Sequence, residues 1–407
     1  MLIKAILFIM GIHNFKMFLN TLGYTSNKLE EYDSIFIDAQ SYLYRAIQNT
    51  FKSNETQLIE DICLSVIGDL SRVLENIFTN ISFQDNLKII IAFDGESIPM
   101  KFPTQKQRRN INVEGKNLYR IVLFGHNTIS DQVCLFIRNI LLKDCSRLLP
   151  NDIEISTRLE FIILGSDTKG EGEHKLFFMG SHLKCRKPVI VSIDNDVFII
   201  ALSQLSKFNS IQIYKASNKI LNINQFTSQC QKEYYIYASL LFGNDFIPPV
   251  VSLTESNCPI IHEALKTCTK LYTPHIFRII LQKLTDERKI RYEMPPQIEE
   301  TIVLEFWKNC FWVLDYYEKY NFPQKFAENY LFDIFERNHV IVALLDKEYS
   351  EKTYKKAHSR YLNLKSSPLQ EDSKSVVFTD EQLKQYERFF PKDKSSEMYH
   401  SFIIHVN

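Results

Sequence analysis

The chain has 407 residues, of which 45% are hydrophobic and 13% aromatic, so it has ample apolar material for a globular core and is not a disordered chain. Its 48 Lys and Arg residues balance its 48 Asp and Glu residues, and the formal net charge is +0. This balance argues against nonspecific polyanion binding over the whole surface, so any contact with nucleic acid has to come from local basic clusters.

Cysteine usage and hydropathy indicate a protein of the cell interior. The cysteines are scattered without a C-x-x-C pair, which argues against a zinc site; they are Cys63, Cys134, Cys145, Cys185, Cys230, Cys258, Cys268 and Cys310. A reducing compartment is the simplest setting for them. No apolar run is long enough to span a membrane. We therefore expect a soluble intracellular protein, and cytoplasm is favoured over nucleus because no compact basic targeting run stands out.

The first nine residues form a poor signal peptide, because Lys4 interrupts the apolar run and no small-residue cleavage site follows. Met10-Gly11-Ile12 opens the first predicted helix, which runs to about Leu22. We assign residues 1–9 to a leader or a mis-assigned start, with translation from Met10 as the hypothesis. Detection of a Met1 peptide in the native protein by mass spectrometry would contradict it.

Short apolar runs then alternate with helical patterns. Ser34–Asp38 and Leu87–Asp94 predict buried strands that each end in an acid. Between them, apolar residues at three- and four-residue spacing predict helices over 39–50 and 57–80. This alternation predicts an α/β fold with a parallel sheet and helices on both faces.

The same alternation continues to about residue 255. Strands are predicted over 153–164, 188–193 and 210–214, and helices over 130–143, 173–181, 196–205 and 231–242. Beyond this point the pattern is helical and rich in aromatic residues, with helices over 260–272, 274–284 and 298–320. We therefore expect an α/β core over 10–255 and a mostly helical region over 256–407 that packs on it.

Acidic residues recur at the ends of these elements: Asp38, Asp94, Glu171, Glu173, Asp194, Asp196 and Asp245. Open α/β sheets bind ligands at the carboxyl ends of their strands. Either Glu171 with Glu173 or Asp194 with Asp196 is, taken alone, compatible with a solvated acidic loop, and Asp is common in turns. The whole series instead predicts a two-cation site for Mg²⁺, or for Mn²⁺, of the kind that hydrolyses phosphodiesters.

A locally basic stretch over 101–120 stands out in the neutral chain. On a helix, Lys101, Gln105 and Arg108 share one face. Together with Arg109 they supply an ammonium, an amide and two guanidiniums, which suit a dianionic phosphate. The same residues are also compatible with a solvated basic face.

Three blocks resemble the signature segments of the Xrn-type 5′→3′ exoribonucleases, which belong with flap endonucleases to the 5′-nuclease superfamily. They are Gly170-Glu-Gly-Glu-His-Lys175, Asp194-Asn-Asp196 and Gly243-Asn-Asp-Phe-Ile-Pro248. The start Met10-Gly11-Ile12 is similar to the usual N terminus of the superfamily, and a weaker similarity lies at Trp312–Tyr317. Over 10–255 the resemblance implies a PIN- or flap-endonuclease-like parallel-sheet core.

The resemblance also implies residue roles. All seven acids would be catalytic, and two Mg²⁺ ions would be held by Asp94, Glu171, Glu173, Asp194, Asp196 and Asp245. The 5′-monophosphate of the substrate would be bound by Lys101, Gln105, Arg108 and Arg109. Tyr44 stands where the family carries a base-stacking histidine, so it is either a stacking residue or an ordinary core aromatic. Trp312 is either a core residue or a lining of the substrate channel.

The leading interpretation is a Mg²⁺-dependent 5′→3′ exoribonuclease that degrades 5′-monophosphorylated single-stranded RNA. The first alternative is a structure-specific flap DNA nuclease of repair or recombination, although no glycine-rich segment follows Asp245 as it does in flap endonucleases. The second alternative is an inactive RNA-binding scaffold, although a degenerate member is expected to lose acids first and all seven are present. Compared with that family, we expect the large accessory domains to be missing, and we therefore do not expect processive passage through structured RNA.

Overall fold

The computed structural model describes residues 12, 14–21, 25–26, 28–50, 58–78, 87–95, 133–137, 139–140, 159–165, 170–215, 219–244, 246–319, 334–366 and 403–406. In these residues the chain is an α/β protein built on one eight-stranded sheet. The predicted α/β class with a mostly parallel sheet is confirmed, while its assignment to the 5′-nuclease fold stays a prediction. No helix in the described ranges is long and apolar enough to cross a membrane.

The sheet has five parallel strands at its centre. Its strands are β1 (Thr25–Ser26), β2 (Ser34–Asp38), β3 (Leu87–Ala92), β4 (Leu159–Leu164), β5 (Pro188–Val191), β6 (Gln212–Lys215), β7 (Lys219–Asn222) and β8 (Ile403–Val406). They lie in the order β1-β7-β6-β5-β2-β3-β4-β8, with β6, β5, β2, β3 and β4 parallel. Outside these five, β7 and β8 run antiparallel to their neighbours β6 and β4, and the edge strand β1 pairs antiparallel with β7.

The parallel strands are continuous apolar runs because helices cover both faces of the sheet. Successive side chains point to opposite faces and enter two separate cores. One core contains Phe36, Ile90 and Ile190, and the other contains their neighbours Ile37 and Ile89. Each strand is therefore buried on both sides, and polar residues are confined to its ends.

Twelve helices accompany the sheet in the described part of the chain. They are α1 (Phe15–Thr21), α2 (Gln40–Thr50), α3 (Leu58–Phe78), α4 (Gly172–His182), α5 (Asp196–Gln204), α6 (Ile223–Gln229), α7 (Lys232–Phe242), α8 (Cys258–Thr267), α9 (Thr273–Asp286), α10 (Glu300–Lys319), α11 (Ile334–Leu345) and α12 (Lys347–Ser366). Residues 133–137 and 139–140, inside the predicted helix over 130–143, are also helical.

Helices α8 to α12 share a core with one face of the sheet. Trp307 of α10 is fully buried and stacks on Phe277 of α9, with ring centroids 5.3 Å apart. The same cluster includes Phe36 of β2 and Tyr361 of α12. The helical segments beyond residue 256 and the sheet are therefore held together by one continuous apolar interior.

Strands β7 and β8, like the two-residue edge strand β1, were not predicted from the sequence. Strand β7 and helix α6 follow β6 directly, where only a strand was predicted. Strand β8 comes from the last residues of the chain, which carry no readable signal, and it pairs with β4 from Leu159↔Val406 to Ile162↔Ile403. Strands β7 and β8 form because neighbouring strands supply their hydrogen-bonding partners. The local sequence pattern does not reveal such pairing.

The connections between the parallel strands create a switch point at β2. From β2 the chain moves to one side through β3 and β4, and then crosses to the other side of β2 to form β5 and β6. Such a reversal opens a crevice at the carboxyl ends of the strands, which is where α/β proteins bind ligands.

Candidate active site

Six of the seven predicted acids lie at or beyond the carboxyl ends of these strands. Asp38 is the last residue of β2, and Asp94 follows β3 by two residues. Glu171 and Glu173 begin α4, which follows β4, while Asp194 lies between β5 and α5 and Asp196 is the first residue of α5. The acids therefore flank the switch point and reach it from four separate segments of the chain.

A serine joins the acids of β2 and β5. The side-chain hydroxyl of Ser192 donates to Asp38 Oδ2 over 2.9 Å and accepts the backbone N–H of Asp194 over 3.1 Å. Asp194 Oδ1 in turn accepts the backbone N–H of Asp196 over 3.1 Å. Ser192 and Asp38 are both buried, so this chain of contacts fixes three acids relative to one another.

The N terminus of α4 closes against the ends of β2 and β3. The backbone N–H of Gly172 donates to Asp94 Oδ1 over 2.7 Å. A Cβ atom at Gly172 would lie 3.2 Å from Asp38 Oδ1 and 3.5 Å from Asp94 Oδ1, so both carboxylates face this glycine. The positive end of the helix dipole is thereby directed at negative charge, which stabilises the ionised acids.

A second glycine allows α4 to approach the sheet this closely. A Cβ atom at Gly180 would lie only 2.0 Å from the ring of Phe36 on β2. Any side chain there would push α4 away from the sheet and carry Glu171 and Glu173 with it. Packing two helical turns away thus controls the position of the site.

A fully buried lysine ties together the loops that carry the acids. Lys175 Nζ donates to the carbonyl oxygens of Phe93, over 2.8 Å, and Gly165, over 2.9 Å. Phe93 directly precedes Asp94, and Gly165 follows β4. A further backbone bond of 2.8 Å joins the N–H of Gly95 to the carbonyl of Gly170. The ammonium group therefore anchors this side of the site and brings a positive charge into it.

Helix α10 also reaches the acids. The hydroxyl of Tyr316 donates to Glu171 Oε2, and its ring packs edge-on against His174 with centroids 4.4 Å apart. Trp312 stacks on Tyr316 at 5.6 Å and is 1% exposed, so it is a core residue and does not line an open channel. Burial and the nearby carboxylates Glu171 and Glu173 raise the pKa of Tyr316 well above its ordinary value.

Asp196 also binds the N-terminal segment. Its Oδ1 atom accepts the backbone N–H of Ile12 over 3.0 Å, and the side-chain amide of Asn195 donates to the carbonyl of Ile12 over 3.3 Å. Ile12 is fully buried. Ile12 is therefore docked on the loop that carries two of the acids.

The raised pKa values of Asp38 and Glu173 show that negative charges are crowded at this site. Burial, followed by the charge of Asp94, raises the pKa of Asp38 to about 7. Burial and the charges of Glu171, Asp38, Asp94 and Asp194 raise the pKa of Glu173 well above its ordinary value. The negative charges of these acids repel one another, and a bound cation would reduce that repulsion.

The donor set fits a hard divalent cation, because carboxylate oxygens are the ligands that Mg²⁺ and Mn²⁺ prefer. Within the described ranges, no three His, Cys, Asp or Glu side chains converge closely enough to chelate one ion directly. Mg²⁺ commonly retains several waters and takes only one or two carboxylates, so the described acids still fit it.

Most of the remaining predicted site residues lie outside the described part of the chain. Asp245, Lys101, Gln105, Arg108 and Arg109 all lie outside the described residues. The turn before Asp245 is described: Gly243 has a positive φ of 78°, and Asn244 Oδ1 accepts the backbone N–H groups of Phe246 and Ile247. Tyr44 lies half-buried on α2, six residues beyond Asp38, and its stacking role stays a prediction.

Sequence reasoning missed Ser192 and the contact made by Tyr316. Ser192 is the residue after β5, two positions before Asp194, so its place at a strand end was a usable signal. Tyr316 lies inside the segment Trp312–Tyr317 whose similarity was noticed, but its partner Glu171 is 145 residues away.

Comparison of the sequence with protein-family models gave no match, and comparison with curated proteins gave no significant match.

Proposed function

We propose that this protein is a divalent-cation-dependent 5′→3′ exonuclease that hydrolyses 5′-monophosphorylated single-stranded RNA. The observation that carries the proposal is the placement of Asp38, Asp94, Glu171, Glu173, Asp194 and Asp196 at the ends of neighbouring elements around the switch point of the sheet. Structural acids are rarely gathered from four separate segments so closely that the pKa values of members such as Asp38 and Glu173 are raised. Such a cluster is costly to build and suits metal-assisted hydrolysis.

In this proposal the acids at the ends of β2 and β3, the start of α4 and the start of α5 hold two Mg²⁺ ions. Bound ions would supply an activated water and stabilise the leaving oxygen of the phosphodiester. The chain's own part is to keep the carboxylates in place: Ser192 orients Asp38, Lys175 anchors the loop of Asp94, and Tyr316 orients Glu171.

The choice of RNA with a 5′-monophosphate rests on the sequence alone. Lys101, Gln105, Arg108 and Arg109 are proposed to bind the terminal phosphate, and Tyr44 to stack on the first base. Two guanidiniums around one phosphate dianion would make a 5′-monophosphate end preferable to a 5′-hydroxyl end.

The test compares three substrates in Mg²⁺: 5′-monophosphate RNA, 5′-hydroxyl RNA and a 5′-flap DNA. We expect rapid loss of the first, loss of all activity in EDTA, and a drop of at least about a thousandfold in Asp194→Ala/Asp196→Ala. Glu255→Ala/Glu293→Ala, which removes two exposed acids away from the strand ends, is the matched control and should retain activity.

A further variant separates the phosphate site from the cation site. Arg108→Gln/Arg109→Gln should lose the preference for the 5′-monophosphate end while hydrolysis persists. Preferential cutting of the flap DNA by the unaltered protein would identify a flap nuclease instead. Absence of hydrolysis in folded protein that still binds RNA would favour the inactive scaffold.

A further inference from the structure

Helix α12 carries a concentration of positive charge that the neutral chain as a whole does not. Its sequence contains five lysines and one arginine but only two glutamates, Glu348 and Glu351. Lys352, Lys355, Lys356 and Arg360 are all exposed. They follow three- and four-residue steps and therefore share one face of the helix. We call these four residues the basic stripe.

The opposite face of α12 is fixed to the rest of the protein. Thr353, Ala357 and Tyr361 are buried, and the hydroxyl of Thr353 accepts the indole N–H of Trp307 over 3.3 Å. The basic stripe is thus presented by a rigid, well-packed helix and not by a loose tail. A rigid helix loses little conformational entropy when its surface binds a ligand.

The pKa of Glu300, at the start of α10, is affected by the positive charges of the basic stripe. Lys356 Nζ lies 2.7 Å from Glu300 Oε1. The hydrogen bond from Lys356, and then the charges of Lys356, Lys352 and Arg360, lower the pKa of Glu300. One carboxylate therefore faces three cations, which leaves the stripe with an excess of positive charge.

The positive surface extends beyond the basic stripe at the N-terminal end of α12. There Lys347 lies near His275 of α9, together with Lys270 and Arg278. Burial and then these three cations lower the pKa of His275, while Glu351 opposes them. Arg278 of α9 and Lys270 of the loop before it thus continue the basic surface of α12.

The other end of α12 contacts the part of α10 that reaches the acid cluster. Tyr361 Oη and Lys365 Nζ each lie 2.5 Å from Asp315 Oδ2. Asp315 directly precedes Tyr316, whose hydroxyl binds Glu171. A helix of 20 residues is about 30 Å long, so α12 leads away from the site over a distance of several nucleotides.

We propose that the basic stripe of α12 binds the phosphodiester backbone of single-stranded RNA beyond the nucleotides held at the acid cluster. Lys352, Lys356 and Arg360 lie one helical turn apart, so each can meet a different phosphate of an extended strand. The contact is with the backbone and carries no base preference. This inference rests on the proposed function, since it assumes that the strand enters the acid cluster.

The test uses Lys352→Gln/Lys355→Gln/Arg360→Gln, which leaves the pair between Lys356 and Glu300 in place. Binding is measured in the background of Asp194→Ala/Asp196→Ala, so that RNA is not consumed. The probes are 5′-monophosphate oligoribonucleotides of about 4 and about 20 nucleotides. The matched control is Lys28→Gln/Lys219→Gln/Lys289→Gln, which removes the same charge from exposed positions on other elements.

We expect the stripe variant to bind the longer RNA about tenfold more weakly and to bind the shorter RNA unchanged. The slope of log affinity against log salt should fall by about 1.4 for the longer RNA, since the phosphate contacts of Lys352 and Arg360 are lost and each contributes about 0.7. The control should show neither change.

An equal loss of affinity in the stripe variant and the control would overturn the inference, because it would reflect net charge alone. Unchanged affinity and salt slope would also overturn it and leave the stripe free for an acidic protein partner. Because these measurements need no hydrolysis, a failed nuclease assay and a failed stripe assay are separate results.

Discussion

At the scale of single residues, a hydroxyl that no sequence motif includes holds the acids of two strands together. Ser192 is buried, donates to Asp38 and accepts from the backbone of Asp194. The hydrogen bond to Asp38 favours the ionised carboxylate and lowers its pKa against the effect of burial. Ser192 thus opposes the repulsion that the neighbouring acids impose on Asp38.

Ser192→Ala should therefore destabilise the protein and impair the proposed hydrolysis. Loss of one partner from a buried carboxylate costs about 1–3 kcal/mol, measurable by urea unfolding. Ser239→Ala is the control, because the hydroxyl of Ser239 is equally buried but bonds only the carbonyl of Ile236 in its own helix. If Ser192→Ala and Ser239→Ala had the same stability and the same rate of hydrolysis, the Ser192 hydroxyl would have no role in orienting the acids.

At the scale of elements, the position of α4 against β2 depends on a missing side chain. Gly180 lies in the last turns of α4, where the ring of Phe36 occupies the space that a Cβ atom would need. Because Glu171 and Glu173 lie at the other end of the same helix, this contact determines how close they come to Asp38 and Asp94.

Two glycine-to-alanine substitutions should therefore have opposite effects. Gly180→Ala should destabilise the protein by about 1–3 kcal/mol through overpacking against Phe36. Gly68→Ala on α3 should stabilise it by about 0.5–1 kcal/mol, because nothing lies within 4 Å of the added Cβ and alanine favours the helix. Thermal and urea unfolding measure both changes. Stabilisation by Gly180→Ala would contradict the packing of α4 described here.

At the scale of the whole molecule, the acid cluster links stability to pH and to divalent cations. The pKa of Asp38 is raised to about 7 and that of Glu173 is also raised, so the folded protein retains protons that the unfolded chain releases. Stability then falls as pH rises from the ordinary carboxyl pKa through the raised values. A cation bound to the folded state reverses this loss.

Without divalent cations, the protein should be less stable at about pH 8 than at about pH 5, as measured by the unfolding midpoint in EDTA. Millimolar Mg²⁺ or Mn²⁺ should raise the midpoint at the higher pH much more than at the lower pH. Asp38→Asn should weaken this pH dependence, because it removes one of the ionisations. A midpoint that rises with pH in EDTA would contradict the crowding of the acids.

The sequence predicted best those elements whose formation depends on residues close together in the chain. The strand Ser34–Asp38 was predicted with its observed bounds, and the strand starts at Leu87 and Pro188 also agree. A buried parallel strand has to be apolar on both faces, so a short continuous apolar run in the sequence indicates it. Strand β8 lacked such a signal because its pairing with β4 is what makes it a strand.

The sequence by itself determined the α/β class and the recurrence of acids at strand ends. Both features depend on the pattern of apolar and polar residues that lie close together in the chain. Only the tertiary structure decided which acids meet, since that depends on the strand order around β2. The contacts of Ser192 with Asp38 and of Tyr316 with Glu171 join residues about 150 positions apart. Such contacts arise when separate elements pack on one core, and no local pattern specifies them.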